Sequence, residues 1–218
     1  MTLYGRGWRA SASALALGFA LLGAGCANLT PPGVNAGAGM QTQSPRAYRQ
    51  DIVLEGRLSL RYQQNQEDRS VHGSFVWTQT AGQTSIRLLS PLGQTIALID
   101  VRPGIATLTQ SGQAPRSAAN VDELTAQALG WPLPIAGLRD WLQGFATDAA
   151  GKAFVAQAPA NGDDAVAVKT QDGWRIQYLN WQAAAATGGA GMPKRIDLDR
   201  YTEQAGQVAI RIVIDKTS

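Results

Sequence analysis

Residues 52–62 read IVLEGRLSLRY. Ile52, Leu54, Gly56, Leu58, Leu60 and Tyr62 fall in one phase, and Val53, Glu55, Arg57, Ser59 and Arg61 in the other. A period of two marks a half-buried β-strand. Residues 71–79, VHGSFVWTQ, continue the theme: Val71, Gly73, Phe75, Trp77 and Gln79 alternate with His72, Ser74, Val76 and Thr78. Ala81-Gly82 turns the chain into 85–90, and 94–101 follows. Arg102-Pro103-Gly104 makes a tight turn before 105–110. Later strands read as 152–157, 165–170, 174–182, 194–200 and 207–215, separated by turn chemistry such as Asp172-Gly173 and Ala205-Gly206. Roughly ten strands on short connections imply antiparallel neighbours, hence a mainly β meander closing, or nearly closing, into a barrel.

One stretch breaks this rhythm. Asn120 is placed to cap a helix and Glu123 to answer it, while Val121, Leu124 and Ala128 share a face and Gly130 and Pro132 stop it. A second helix over 135–143 puts Ile135, Leu138, Trp141 and Leu142 on one stripe and ends at Gly144. Two amphipathic helices inside an all-β meander need an apolar surface to cover, and the inside of the curved sheet is the available one. A short lead-in helix is also expected over 41–50.

The N-terminus carries a different message. Arg6 and Arg9 precede an apolar run over 10–22. Such a run spans about 20 Å as a helix, short of the ~30 Å hydrocarbon core, so residues 1–25 read as a secretory signal and not as a membrane span. Small residues then lead to Cys26 in LGAGC, which resembles a bacterial lipobox. That pattern carries an aliphatic residue three before the Cys, whereas Gly23 stands there and Leu22 one place earlier. Read as a lipobox, Cys26 takes a diacylglycerol and becomes the mature N-terminus. The alternative is a secreted protein with a free buried Cys. Residues 26–40 hold two prolines and three glycines without periodicity, a flexible tether ahead of a single domain over 41–218.

Composition excludes much. The 218 residues hold 19 Lys and Arg against 16 Asp and Glu. Removal of Arg6 and Arg9 lowers the net charge from +3 to +1, leaving no footprint for nucleic acid. A single Cys and a single His leave little from which to build a disulfide framework, a metal site or a Ser-His triad. No phosphate-cradling loop and no G-x-S-x-G elbow is present. No enzyme, cofactor or metal is therefore expected. His72 reads as a solvated strand histidine, Asp163-Asp164 as a turn, and Asp197 and Asp199 as one wet strand face.

The segments GRLSLRY, FVWTQTAGQTSIRLLSPLGQTIALI and WPLPIAGLRDWLQG, following a lipobox and a Pro/Gly tether, resemble the LolB family of outer-membrane lipoprotein receptors from about residue 48 onward. The resemblance implies an incomplete antiparallel barrel of about eleven strands with a helical lid over an apolar cavity. It implies a protein lipid-anchored on the periplasmic face of the outer membrane, acting as a monomer. Its partners would be the periplasmic carrier LolA, acylated lipoprotein cargo and outer-membrane phospholipid. A buried methylene is worth ~0.8 kcal/mol, so three acyl chains represent tens of kcal/mol of water avoidance. An apolar hollow meets that need if its walls lack unpaired polar groups. The candidate lining is Leu58, Leu60, Phe75, Trp77, Ile86, Leu88, Ile96 and Leu98, with Leu138, Trp141 and Leu142 from the lid. Each is equally compatible with an ordinary filled core.

Ser90-Pro91-Leu92-Gly93 sets one large aliphatic among turn residues between two strands. In the family the matching loop protrudes and is implicated in membrane insertion, so the resemblance assigns Pro91, Leu92 and Gly93 to that role. Burying one Leu gains about 1.5–3 kcal/mol, enough for a reversible touch on lipid but not for an anchor. The alternative is a Leu folded back on the barrel. At the level of function the alternative is a lipid-anchored module that holds a hydrophobic ligand or senses it without passing it on.

Overall fold

The computed structural model describes residues 46–129, 133–159, 165–183 and 191–218. The signal segment, Cys26, the tether, the helix-stopping Gly130 and Pro132, and the Asp163-Asp164 turn lie outside the described residues. Twelve strands and two helices follow in order. They are β1 Ile52–Gln64, β2 Glu67–Gln79, β3 Thr84–Leu89, β4 Thr95–Arg102, β5 Ile105–Gln110 and β6 Arg116–Ala118, then α1 Val121–Leu129 and α2 Ile135–Trp141, then β7 Phe145–Thr147, β8 Ala153–Val155, β9 Val166–Lys169, β10 Arg175–Trp181, β11 Pro193–Thr202 and β12 Gly206–Thr217. Ten strands make one antiparallel sheet in the order β6-β5-β4-β3-β2-β1-β12-β11-β10-β9, and β7 and β8 form a separate hairpin. Each neighbour in the large sheet is next in sequence apart from β1 and β12, which bring the two ends of the domain together. The sheet does not close, and β6 and β9 are its edges.

Two three-residue strands, β6 and β7, exceed the sequence expectation, because so short a run carries no readable period. The lead-in helix is absent over residues 46–50. Those residues are instead held by partners far along the chain. Arg46 donates to the carbonyls of Gly191 at 2.7 Å and Ala156 at 2.8 Å, and its guanidinium lies 5.4 Å from the Phe145 ring centre and 5.8 Å from that of Trp181. The Asn120 cap is present, with its Oδ1 accepting the Glu123 N–H at 2.8 Å. The Glu123 carboxylate turns to Gln127.

The interior falls into two halves. Around β10, β11 and β12 the side chains of Trp174, Ile176, Tyr178, Ile196, Leu198 and Ile214 are almost wholly buried. Rings add to this packing: Phe154 stacks on Tyr178 at 6.3 Å, and Trp141 tilts against Trp174 at 6.4 Å. The other half, over β1 to β5, is where the helices lie and where the packing opens. Between the halves the β1–β2 and β1–β12 backbones approach closely at Gly56. A Cβ there would collide with the Val213 carbonyl and press on the Phe75 ring, which covers the glycine from the paired strand.

The opposite sheet face is wet and ionic. Asp197 accepts from Arg195 at 2.6 Å and Arg211 at 3.3 Å, Asp199 pairs with Arg175 at 2.9 Å, and Asp215 with Arg57 at 2.9 Å. Partial burial pushes the Asp197 carboxyl upward, but the hydrogen bonds and charges of Arg195 and Arg211 outweigh it and hold the group below its usual range.

Gly56→Ala lowers stability by about 1–3 kcal/mol. Gly82→Ala, where an added Cβ meets open space, stays within about 0.5 kcal/mol; urea midpoints measure both. A depressed folded pKa contributes stability that is present above the unfolded value and fades as pH falls through the folded one. Asp197→Asn is therefore less stable than the parent at pH 7 by about 1 kcal/mol or less, and the gap closes below about pH 4. Urea titrations across that range read it out.

Candidate functional site

A cleft of about 290 Å³ opens between the β1–β5 half of the sheet and the lid. Its walls come from inward positions in register: Leu58 and Leu60 on β1, Phe75 and Trp77 on β2, Ile86 and Leu88 on β3. Ile210 and Ile212 of β12 extend the floor, and Leu133, Ile135, Leu138 and Leu142 form the roof. Gln110 is the only polar side chain among the described lining residues. Such a surface offers contact area without directional bonds, which suits hydrocarbon and does little for a polar ligand.

Of the eleven expected lining residues, Leu98 and Trp141 are placed elsewhere. The reason for Leu98 is a β-bulge. Leu88 pairs with Ala97 but Leu89 with Thr95, so one residue of β4 is spent without a partner. The alternation beginning at Ile96 therefore changes phase: Ala97 and Ile99 face the cleft, and Leu98 sits opposite Arg87 on the other face. Ile96, the residue at the bulge, keeps its place on the lining. Trp141 is buried but turned away. Its indole lies back over Gly137, where a Cβ would strike the ring, and packs on Trp174 in the filled half. Helical spacing placed Trp141 on the same stripe as Leu138, but a seven-residue helix has two faces to cover and two interior halves to serve.

The lid is fastened by polar groups. Arg139 donates to the Thr80 carbonyl at 2.6 Å and to Thr84 Oγ1 at 3.1 Å, tying α2 to the β2–β3 turn. Gln143 exchanges two bonds with the Arg49 backbone, accepting its N–H at 2.9 Å and donating to its carbonyl at 2.9 Å. Gln79 donates to the Tyr48 hydroxyl at 2.9 Å and accepts the Trp77 indole N–H at 3.2 Å. Gln79 and Gln143 are each about 1% exposed, so these bonds keep buried amides satisfied. Gln79 stood in the inward phase of its strand, a visible signal, whereas nothing in the sequence marked Gln143. Thr125 Oγ1 accepts the Leu133 N–H at 2.9 Å, linking α1 to the start of α2. Near the lid's end, burial pulls the Arg46 guanidinium below its usual range and pushes the Tyr178 phenol far up, which keeps the phenol protonated.

The turn over 90–93 stands clear of this packing. Gly93 adopts φ +81° and donates to the Ser90 carbonyl at 2.8 Å, and Ser90 N–H closes on Gln94 O at 2.8 Å. Leu92 at its tip is 88% exposed. It does not fold back on the sheet. His72 is exposed on the outer face, and the basic residue Arg195 is spent on Asp197.

Residues 50–216 match the family model described as outer membrane lipoprotein LolB. The chain belongs to the LolB family. It is 39% identical over 204 residues to the outer-membrane lipoprotein LolB of Cupriavidus pinatubonensis, with 92% of each chain covered. To that of Ralstonia nicotianae it is 36% identical, covering 93% of this chain and 95% of the relative. A LolA superfamily protein of known structure from Nitrosomonas europaea aligns over 82% of this chain and 90% of its own at 9% identity, with a TM-score of 0.45. As a LolB-family member this is an outer-membrane lipoprotein with a receptor role in lipoprotein localisation.

The cleft roof and the outer face of β4 make a direct comparison. Leu138→Glu puts a charge on the cleft roof and weakens binding of a fluorescent long-chain fatty acid at least tenfold, the equivalent of about 1.4 kcal/mol. Leu98→Glu, on the outer face, leaves the affinity within about twofold. Fluorescence titration distinguishes the pair.

Proposed function

We propose that this protein receives acylated lipoproteins from the periplasmic carrier LolA, holds their acyl chains in the cleft under α2, and releases them into the inner leaflet of the outer membrane without covalent chemistry. The observation that carries the reading is a cleft walled by apolar side chains, with Gln110 as the one polar contributor among the described residues, roofed by the separately fastened α2 and the residues flanking it. A volume of about 290 Å³ lies at the lower end of the ~300–1,000 Å³ typical of small-ligand sites. Three long chains need more room, so the roof shifts when cargo enters. The bonds of Arg139 and Gln143 are the ones exchanged in that shift.

Cys26 carries the lipid that keeps the protein at the membrane, after residues 1–25 are removed, and residues 26–40 serve as the tether. The domain works as a monomer on outer-membrane phospholipid. Leu92, with Pro91 and Gly93 shaping the turn beneath it, touches the bilayer during release. One leucine gains about 1.5–3 kcal/mol on burial, so the contact forms and breaks readily. With no nucleotide site in the sequence, transfer is driven by successive gains in affinity, each of a few kcal/mol. The exposed Leu92 favours this reading over a module that only stores a ligand, for which an apolar tip has no use.

A reconstituted handover from loaded LolA to this protein and then to phospholipid vesicles tests the proposal. The parent protein passes cargo on. Leu92→Glu takes up cargo normally and keeps its thermal stability, yet delivers to vesicles at least tenfold more slowly. Normal delivery by that variant removes the membrane role of the loop, and failure of the parent to accept cargo removes the receptor reading.

A further inference from the structure

Exposure along the cleft is graded. On β2 the inward residues Trp77 and Phe75 are 2% and 4% exposed, but Val71 is 37% exposed. On β4, Ile99 is 4% exposed and Ile96 38%. Both gradients rise toward the same end of the sheet, the end that carries the 90–93 turn. Pairing explains why the wall opens there. The β2–β3 ladder ends at Ser74–Leu89, while β2 itself extends back to Glu67 and stays paired with β1 throughout. The β1–β2 hairpin therefore projects past the β3–β4 turn and leaves a notch in the sheet wall. Val71 stands on one side of the notch and Leu88 with Ile96 on the other. Gly73, between them, lets the Leu89 carbonyl close in at the head of the notch, where a Cβ would collide with it. The β4 bulge turns Ile96 toward the opening. Ile96 follows Leu92 by four positions, a reach of at most about 14 Å of extended chain.

We infer that this notch is a lateral exit for the acyl chains of the cargo: Val71, Leu88 and Ile96 form an apolar sill over which chains slide from the cleft directly to the bilayer touched at Leu92. This rests on the cargo reading above and adds a route to it. The route matters because a chain leaving under the lid, away from the turn, must cross water at ~0.8 kcal/mol per exposed methylene. A chain leaving over the sill exchanges one apolar surface for the next.

The test places a benzophenone side chain at 71, 96, 98 or 138 in the full-length acylated protein. Each variant is loaded with a synthetic triacylated lipopeptide and irradiated with vesicles of phosphatidylethanolamine and phosphatidylglycerol present. Circular dichroism confirms folding of each variant. Cross-links to the lipopeptide are expected at 138, inside the cleft, and at 71 and 96 at no less than five times the yield at 98 on the outer face. Cross-links at 138 with yields at 71 and 96 no higher than at 98 overturn the exit and leave the cargo reading intact. Absence of cross-links at all four positions overturns both. As a second measurement, Ile96→Asp slows transfer to vesicles at least fivefold while vesicle binding through Leu92 is unchanged; an unaltered transfer rate counts against the sill.

Discussion

An apolar sheet face that must stay dry without being filled is the constraint on which this structure depends. Ordinary domains bury such a face by packing it solid, at the density of an organic crystal. Here half of the interior is withheld from that solution. A hollow of about 290 Å³ costs at most about 7 kcal/mol if each cubic ångström carries the penalty found for empty core cavities, ~24 cal/mol. That is comparable with the whole net stability of a typical domain, about 5–15 kcal/mol. The compensation lies in the filled half, where Trp174, Tyr178, Ile196 and Leu198 leave almost no surface to water. It lies also in the long, continuous pairing of β1 with β2 and β12. The sheet is a scaffold on one side so that it can be a container on the other.

The lid follows from the same constraint. Its apolar stripe has less to pack against than the stripe of a core helix, so shape alone would leave it poorly located. Polar bonds at defined points do the locating. Arg139 reaches the β2–β3 turn and Gln143 grips the backbone at Arg49. Such bonds are worth about 0.5–1.5 kcal/mol each between neutral groups and about 1.5–3 kcal/mol from a charged donor such as Arg139, so a few of them place a helix without fixing it permanently. A greasier and tighter roof would hold the domain together better and close the cleft.

Much of this was legible in the residues. The alternation in 52–62 and 71–79 gave the sheet and its inward face, because a half-buried strand has no other way to write itself. The capping pair at Asn120 and the stripe at 135–142 gave the helices. Leu98 was misplaced because a bulge is a pairing event: it depends on what β3 does, and β4 alone carries no sign of it. Trp141 was misplaced because helical spacing gives a direction but not which half of a divided interior lies there. The clue was Gly137, four residues earlier, a vacancy cut for a large ring. The expected helix before β1 gave way to long-range partners of Arg46, Tyr48 and Arg49, none of them visible in local sequence. Whether a core is solid or hollow is likewise a sum over many elements, which the alternation of any one strand does not carry.

The grip on Arg46 has a mechanical meaning. Its guanidinium binds the Gly144 and Ala156 carbonyls on either side of the β7–β8 hairpin and that of Gly191 before β11, and is boxed by the rings of Phe145 and Trp181. Three residues later the chain reaches the bonds that hold the end of α2. A strain entering the described chain at residue 46 meets the arginine first and passes to the filled half of the molecule, ahead of the bonds at Arg49 that locate the helix.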